Sequence, residues 1–154
     1  MSDLGRLGRG LFWNEIPVGT KWHSAGRTIT ETDLVSYVNL GWYTEDLFTD
    51  LNDRSDNAIK GRPVPAVMVL MMAEGLVLPS IVRTGLAFLQ SDLEVKGPTM
   101  VGDTIYVHCE VIEARQTSNA SRGLVRTRNS VLNQRGETIL IYQPLRIMRG
   151  REAP

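Results

Sequence analysis

Residues 42–50 read Trp42-Tyr43-Thr44-Glu45-Asp46-Leu47-Phe48-Thr49-Asp50, a stretch that mixes aromatic and acidic side chains. Adjacent carboxylates can take or give protons, or direct a water, when a fold turns them toward a substrate. Glu45 and Asp46 are the candidates for that role. The same pair at a solvated helix start would do nothing more than favour the positive end of the helix. Trp42, Tyr43 and Phe48 form an aromatic cluster. It fits either ordinary core packing or the wall of an apolar ligand pocket.

Other groups with chemical potential are few. The chain has two histidines, His23 and His108, and one cysteine, Cys109. Their spacing matches no metal-ligand pattern, so no metal is assigned and no cofactor is expected. His108 alternates with apolar neighbours and is expected to face solvent, whereas His23 fits either side of its strand. Arg122, Arg126 and Arg128 lie in or beside one strand. They suit a solvated sheet face or the phosphates of an anionic carrier. Gly-rich phosphate loops, a serine nucleophile elbow and nucleic-acid motifs are missing from the sequence.

Composition narrows the class. The 154 residues suffice for one domain with a sizeable core. Seventeen Lys+Arg balance seventeen Asp+Glu, so there is no global basic field for nucleic acid or an anionic membrane. A lone cysteine cannot form an internal disulfide. The N-terminus lacks an apolar run behind its charges, so no secretory signal is read. The run Val64–Ala73 is too short to span a bilayer. A soluble, cytoplasmic protein without membrane or nucleic-acid partners is the expectation.

The elements that would position these groups follow from periodicity. Lys21–Ile29 reads as a strand. Thr30 reads as a helix N-cap with Asp33 three residues on, and the helix is expected over Thr30–Leu40. Residues 45–62 are polar and broken by short turns. Ala66–Leu78 is apolar on every side, which predicts a buried helix ended by Pro79. Its one charge, Glu74, requires an edge position or a partner. Leu86–Lys96, a strand beginning at Gly102-Asp103, Gly123–Asn133 and Thr138–Arg149 alternate as strands, the last pair joined by a turn at Gln134-Arg135-Gly136.

A long apolar helix with antiparallel strands predicts an α+β hotdog fold, a curled antiparallel sheet wrapped around a long central helix. The expected organisation is a flexible arm at 1–11, a single domain at 12–149 and a short tail at 150–154. Such a sheet leaves an open edge, so a homodimer or higher homo-oligomer is expected.

Several segments then resemble the MaoC-like acyl dehydratases and (R)-specific enoyl-CoA hydratases. Arg27-Thr28-Ile29-Thr30-Glu31-Thr32-Asp33 resembles the entry to the family's first helix, and Leu47-Phe48-Thr49-Asp50 the end of its hydratase motif. Gly61-Arg62-Pro63-Val64-Pro65-Ala66-Val67 resembles the lead into its central helix. Gly97-Pro98-Thr99-Met100-Val101-Gly102-Asp103-Thr104-Ile105 and Asn133-Gln134-Arg135-Gly136-Glu137 resemble a strand-turn-strand and a late hairpin. The likeness covers roughly residues 12 to 149.

The resemblance implies reversible hydration of a 2-enoyl thioester, carried on CoA or an acyl carrier protein, by an aspartate and a histidine. Here Tyr43 stands at the aspartate's place, with Trp42 competing for it, and Phe48 stands at the histidine's. Pro65-Ala66 replaces the usual His-Gly. The resemblance makes the Ala66 amide the donor to the thioester carbonyl, and Trp42, Tyr43, Phe48, Pro65 and Ala66 the substrate-binding set. Three readings follow: a hydratase using Glu45 or Asp46 as replacement acids, a non-catalytic subunit that binds an acyl thioester or pairs with a catalytically complete homologue, and a hotdog thioesterase using the same acids.

Overall fold

The computed structural model describes residue 3 and residues 7–152. The segments expected as arm and tail, 1–11 and 150–154, fall partly outside the described residues. Gly10 and Leu11 already bond to the body through the carbonyls of Val82 and Ser80.

Strands β1 (Lys21–His23) and β2 (Arg27–Thr28) come first, then helices α1 (Glu31–Gly41), α2 (Asp46–Thr49) and α3 (Ala66–Val77). The strands β3 (Gly85–Gln90), β4 (Leu93–Val95), β5 (Thr104–Gln116), β6 (Arg122–Leu132), β7 (Thr138–Tyr142) and β8 (Leu145–Arg149) follow. All eight strands join one antiparallel sheet that is not closed, with β6 paired to β5 on one side and to β7 and β8 on the other. The sheet curls over α3, which packs on β5 and β7. This is the expected hotdog architecture.

Helix α1 begins where its capping chemistry predicts. The Asp33 N–H donates to Thr30 Oγ1, while the Thr30 N–H donates back to Asp33 Oδ2 at 2.8 Å, a reciprocal capping box. The Thr30 N–H holds the Asp33 carboxyl below the ordinary carboxylate range, with Arg27 adding to the effect. A cap of this kind contributes about 1 kcal/mol.

Three expected strands are each split in two. Lys21–Ile29 breaks at 24–26, where Ser24 pairs with Val107 and the Tyr106 ring occupies the space a side chain at Gly26 would need. Leu86–Lys96 breaks at 91–92, and Thr138–Arg149 breaks at 143–144. The last two breaks face each other, because the Gln143 N–H donates to Asp92 Oδ1 at 3.0 Å. Pro144 has no N–H for a ladder bond, and its carbonyl instead accepts from Thr127. Across the sheet, β5 carries a bulge between Val111 and Glu113 at the same level, where Val111 pairs with Thr127. The last two breaks and the β5 bulge thus line up as a crease from β5 to β4. A crease of bulges and unpaired residues bends a sheet sharply, and here it lets one sheet wrap a helix.

The helix itself corrects one expectation. Met68, Val69, Met72, Ala73 and Val77 are buried, but Val67 is 40%, Met71 50% and Leu78 53% exposed. These form a stripe on one face at helical spacing. The edge segment β3–β4 likewise exposes Phe88, Leu89 and Val95. No helix among the described residues is long and apolar enough to cross a membrane.

Glu74 has the partners its burial requires. Its Oε1 accepts from the Tyr142 hydroxyl at 2.8 Å and from Arg146 Nη2 at 2.5 Å. The Arg146 guanidinium also lies over the Phe88 ring, 5.0 Å from its centroid. Burial pushes the Tyr142 phenol upward, with Glu74 adding to the shift.

Candidate functional site

At the N-terminus of α3 lies a recess of about 270 Å³. Its wall includes Phe48 from α2, Pro65, Ala66 and Val69 from the start of α3, and Val95 and Leu140 from the sheet. Pro65 caps α3 without any side-chain hydrogen bond. The first amides of a helix have no carbonyl four residues back, so the Ala66 and Val67 N–H groups are available at a positive helix end.

Pro63 and Val64, just before α3, are pinned by the strand-turn-strand. The Val64 N–H donates to the Thr99 carbonyl at 2.8 Å, and Pro63 bridges to Met100. Two arginines then hold the loop around the recess. Arg54 donates to the carbonyls of Leu47, Asp50 and Gly61. Arg62 donates to the Phe48 carbonyl and to both carboxylate oxygens of Glu31 on α1. That pairing lowers the Glu31 carboxyl and raises the Arg62 guanidinium, in each case chiefly through their hydrogen bond. Neither arginine is marked as a positioning residue by the sequence: Arg54 holds backbone carbonyls, which any residue supplies, and the carboxylate that Arg62 meets lies 31 residues away.

The ring of Phe48 packs on Tyr43 at a tilt of 52° with centroids 5.8 Å apart, and Tyr43 lies 5.4 Å from Tyr37. Burial raises the Tyr37 phenol, and Tyr43 adds to it. An aromatic row therefore runs from the recess to the groove between α1 and α3, where Tyr37 lies with Met68 and Met72. Trp42 stands outside it. It takes a left-handed conformation at φ 56° to end α1 and is 86% exposed. Glu45 caps α2, its carboxylate accepting from the Leu47 N–H at 3.2 Å. Asp46 lies in the first turn of α2. Neither acid is part of the recess wall, and neither is Trp42 or Tyr43.

Among the described residues, the wall contains no carboxylate, imidazole, amine, guanidinium or thiol, and Thr99 supplies its only polar side chain. Such a site can exclude water, hold an apolar chain and polarise a carbonyl from the helix end. The wall offers no group able to abstract a proton at neutral pH. Elsewhere, Cys109 is buried and its thiol is pushed up to about 12 by desolvation, so it is not a reactive thiolate. Arg126 reaches Glu113 and the Gln143 carbonyl, while Arg122 and Arg128 stay on the strand's exposed positions.

No family model matches the sequence. A MaoC-domain dehydratase from Chloroflexus aurantiacus superposes with a TM-score of 0.89 at 25% identity, over 97% of this chain and 44% of that one. The chain has the MaoC-like hotdog fold. A monoamine oxidase regulatory protein from Archaeoglobus fulgius shares this MaoC-like fold with a TM-score of 0.83 at 27% identity, covering 94% and 97% of the two chains. In sequence, the chain is 26% identical over 145 residues to mesaconyl-CoA hydratase from Cereibacter sphaeroides, over 93% of its own length and 42% of the relative's. It therefore spans less than half of that hydratase and of the Chloroflexus protein.

Proposed function

We propose that this chain is an acyl-thioester-binding hotdog subunit that receives the acyl group in the recess at the start of α3 and brings no acid/base pair of its own to it. One observation carries the reading: the recess is apolar, sits on a free helix N-terminus and has no ionisable side chain in its wall. The acyl chain would lie against Phe48, Val69 and Leu140, and the thioester oxygen would accept from the Ala66 amide. Pro65 cannot serve as that donor, since proline has no N–H.

The apolar stripe of α3 and the apolar edge at β3–β4 support association with a second hotdog, either a second copy or a catalytically complete homologue. The two longer relatives, in which the matching unit is less than half of the chain, support that arrangement. Under this reading the hydration chemistry of an assembly comes from the partner, and this subunit contributes acyl binding. Nothing favours the thioesterase reading, since Glu45 is engaged as a helix cap and Asp46 lies outside the wall.

Calorimetric titration tests the reading. Butyryl-CoA should bind and free CoA should bind more weakly, because only the former fills the recess. Phe48→Trp should weaken the acyl-dependent part by crowding the wall. Equal binding of acyl-CoA and CoA, unaffected by Phe48→Trp, would reject the recess as the acyl site.

A further inference from the structure

On the outer face of the sheet, His23 of β1 and His108 of β5 are directly opposed in register, and their ring centroids are 5.6 Å apart. We propose that this cross-strand pair is a chelating site for a divalent transition-metal ion of the imidazole-preferring class, with Cu²⁺ bound most tightly. The site is independent of the recess at α3.

Three observations carry it. The first is spacing. Two imidazoles that share one ion at about 2.1 Å through a ring nitrogen have centroids roughly 5 Å apart. The observed separation needs only a small rotation of the side chains to reach that value. The second is orientation. The Nδ1 of His23 lies 3.2 Å from the Ser24 carbonyl. An Nδ1–H donated to that carbonyl leaves Nε2 as the unprotonated ligand, the arrangement in which metal-binding histidines are ordinarily held. The ring of His108 makes no hydrogen bond or ion pair among the described residues, so both its ring nitrogens remain available. The third is room: the pair opens on a recess of about 330 Å³ that also meets Lys21, Glu110, Arg128 and Ser130.

The surrounding charges decide which ions fit. Glu110 pairs with Lys21 at 3.8 Å and stands opposite Arg128 in register. Hard cations such as Ca²⁺ and Mg²⁺ need several oxygen ligands, and this face offers one carboxylate that two cations already flank. An ion bound mainly by imidazole nitrogen tolerates that setting, and among such ions affinity peaks at Cu²⁺. Among the described residues no group of three or more His, Cys, Asp or Glu side chains is gathered for a metal. The pair therefore supplies two ligands and water completes the shell. The consequence is mechanical. β1 lies at the sheet edge, is three residues long and pairs with β5 alone, so an ion held by both histidines ties that edge strand to the sheet.

The test titrates the native protein with CuCl₂, and separately with ZnCl₂, in a non-chelating buffer. Pulsed EPR of the copper form identifies its nitrogen ligands. The expected result is one Cu²⁺ per chain, weaker Zn²⁺ binding, couplings from two imidazoles, and release on acidification as protons compete for the ring nitrogens. His23→Ala and His108→Ala, both at exposed positions, should each lower copper affinity on the order of tenfold or more and remove one imidazole coupling. Copper binding unchanged in both variants, a single-imidazole signal in the native protein, or no binding at micromolar copper would each overturn the site.

Discussion

Supplied alone with a short 2-enoyl-CoA, the protein should leave the enoyl absorbance almost unchanged. Positioned acid and base groups typically supply about 10²–10⁴-fold each. The side chains where the resemblance expects them are Tyr43 and Phe48, and the ring of Phe48 forms part of an apolar wall. The neighbouring acids are turned to other work: Glu45 accepts from the Leu47 amide, and Asp46 stands in the first turn of its own short helix. Glu45→Gln with Asp46→Asn should therefore leave the residual rate where it was. Robust turnover in the native protein would contradict this account, and its loss in that double variant would assign catalysis to the two acids. Addition of a catalytically complete hotdog partner should restore hydration.

The largest effect on stability is expected from Glu74→Leu. It strands the Arg146 guanidinium, whose side chain is only 9% exposed, between α3 and the sheet. Removing one partner of a buried ion pair costs about 3–5 kcal/mol. Glu74 is 25% exposed, so solvent screens part of that interaction and a loss of roughly 2–3 kcal/mol is expected. Urea unfolding measures it. Glu74→Leu combined with Arg146→Leu should lose less than the single variant, because no unpaired charge remains. A single variant as stable as the native protein would show that Arg146 finds water or another partner.

The parts of the fold carried by local signals were legible in the sequence. Thr30 and Asp33 announced α1 because both halves of the capping box lie within four residues of chain. The alternation of Ile105, Val107, Cys109 and Val111 announced the buried face of β5. The crease has no such local signature beyond Pro144, which marks a place where no ladder bond can form. Its cause is spread over four segments that meet only in the folded sheet. The exposed stripe of α3 was invisible for a similar reason, since uniform apolarity does not say which face the same chain covers. The recess shows the same division. Phe48, Pro65 and Ala66 line it and stand in stretches with a recognisable pattern, whereas Val69, Val95 and Leu140 come from regular elements and carry no motif. Arg54 acts on backbone carbonyls, which leave no trace in side-chain spacing, and Arg62 meets the Glu31 carboxylate only once the chain has folded.

The central claim is that the thioester carbonyl rests on the Ala66 amide inside an apolar recess. The most direct measurement is an amide-resolved NMR titration with butyryl-CoA carrying a labelled thioester carbonyl. The expected result is a shift of that carbonyl toward a hydrogen-bonded value, with amide changes centred on Ala66, Val67, Phe48 and Thr99. A carbonyl that does not shift, or amide changes confined to the far end of α3 near Val77 and Pro79, would contradict it.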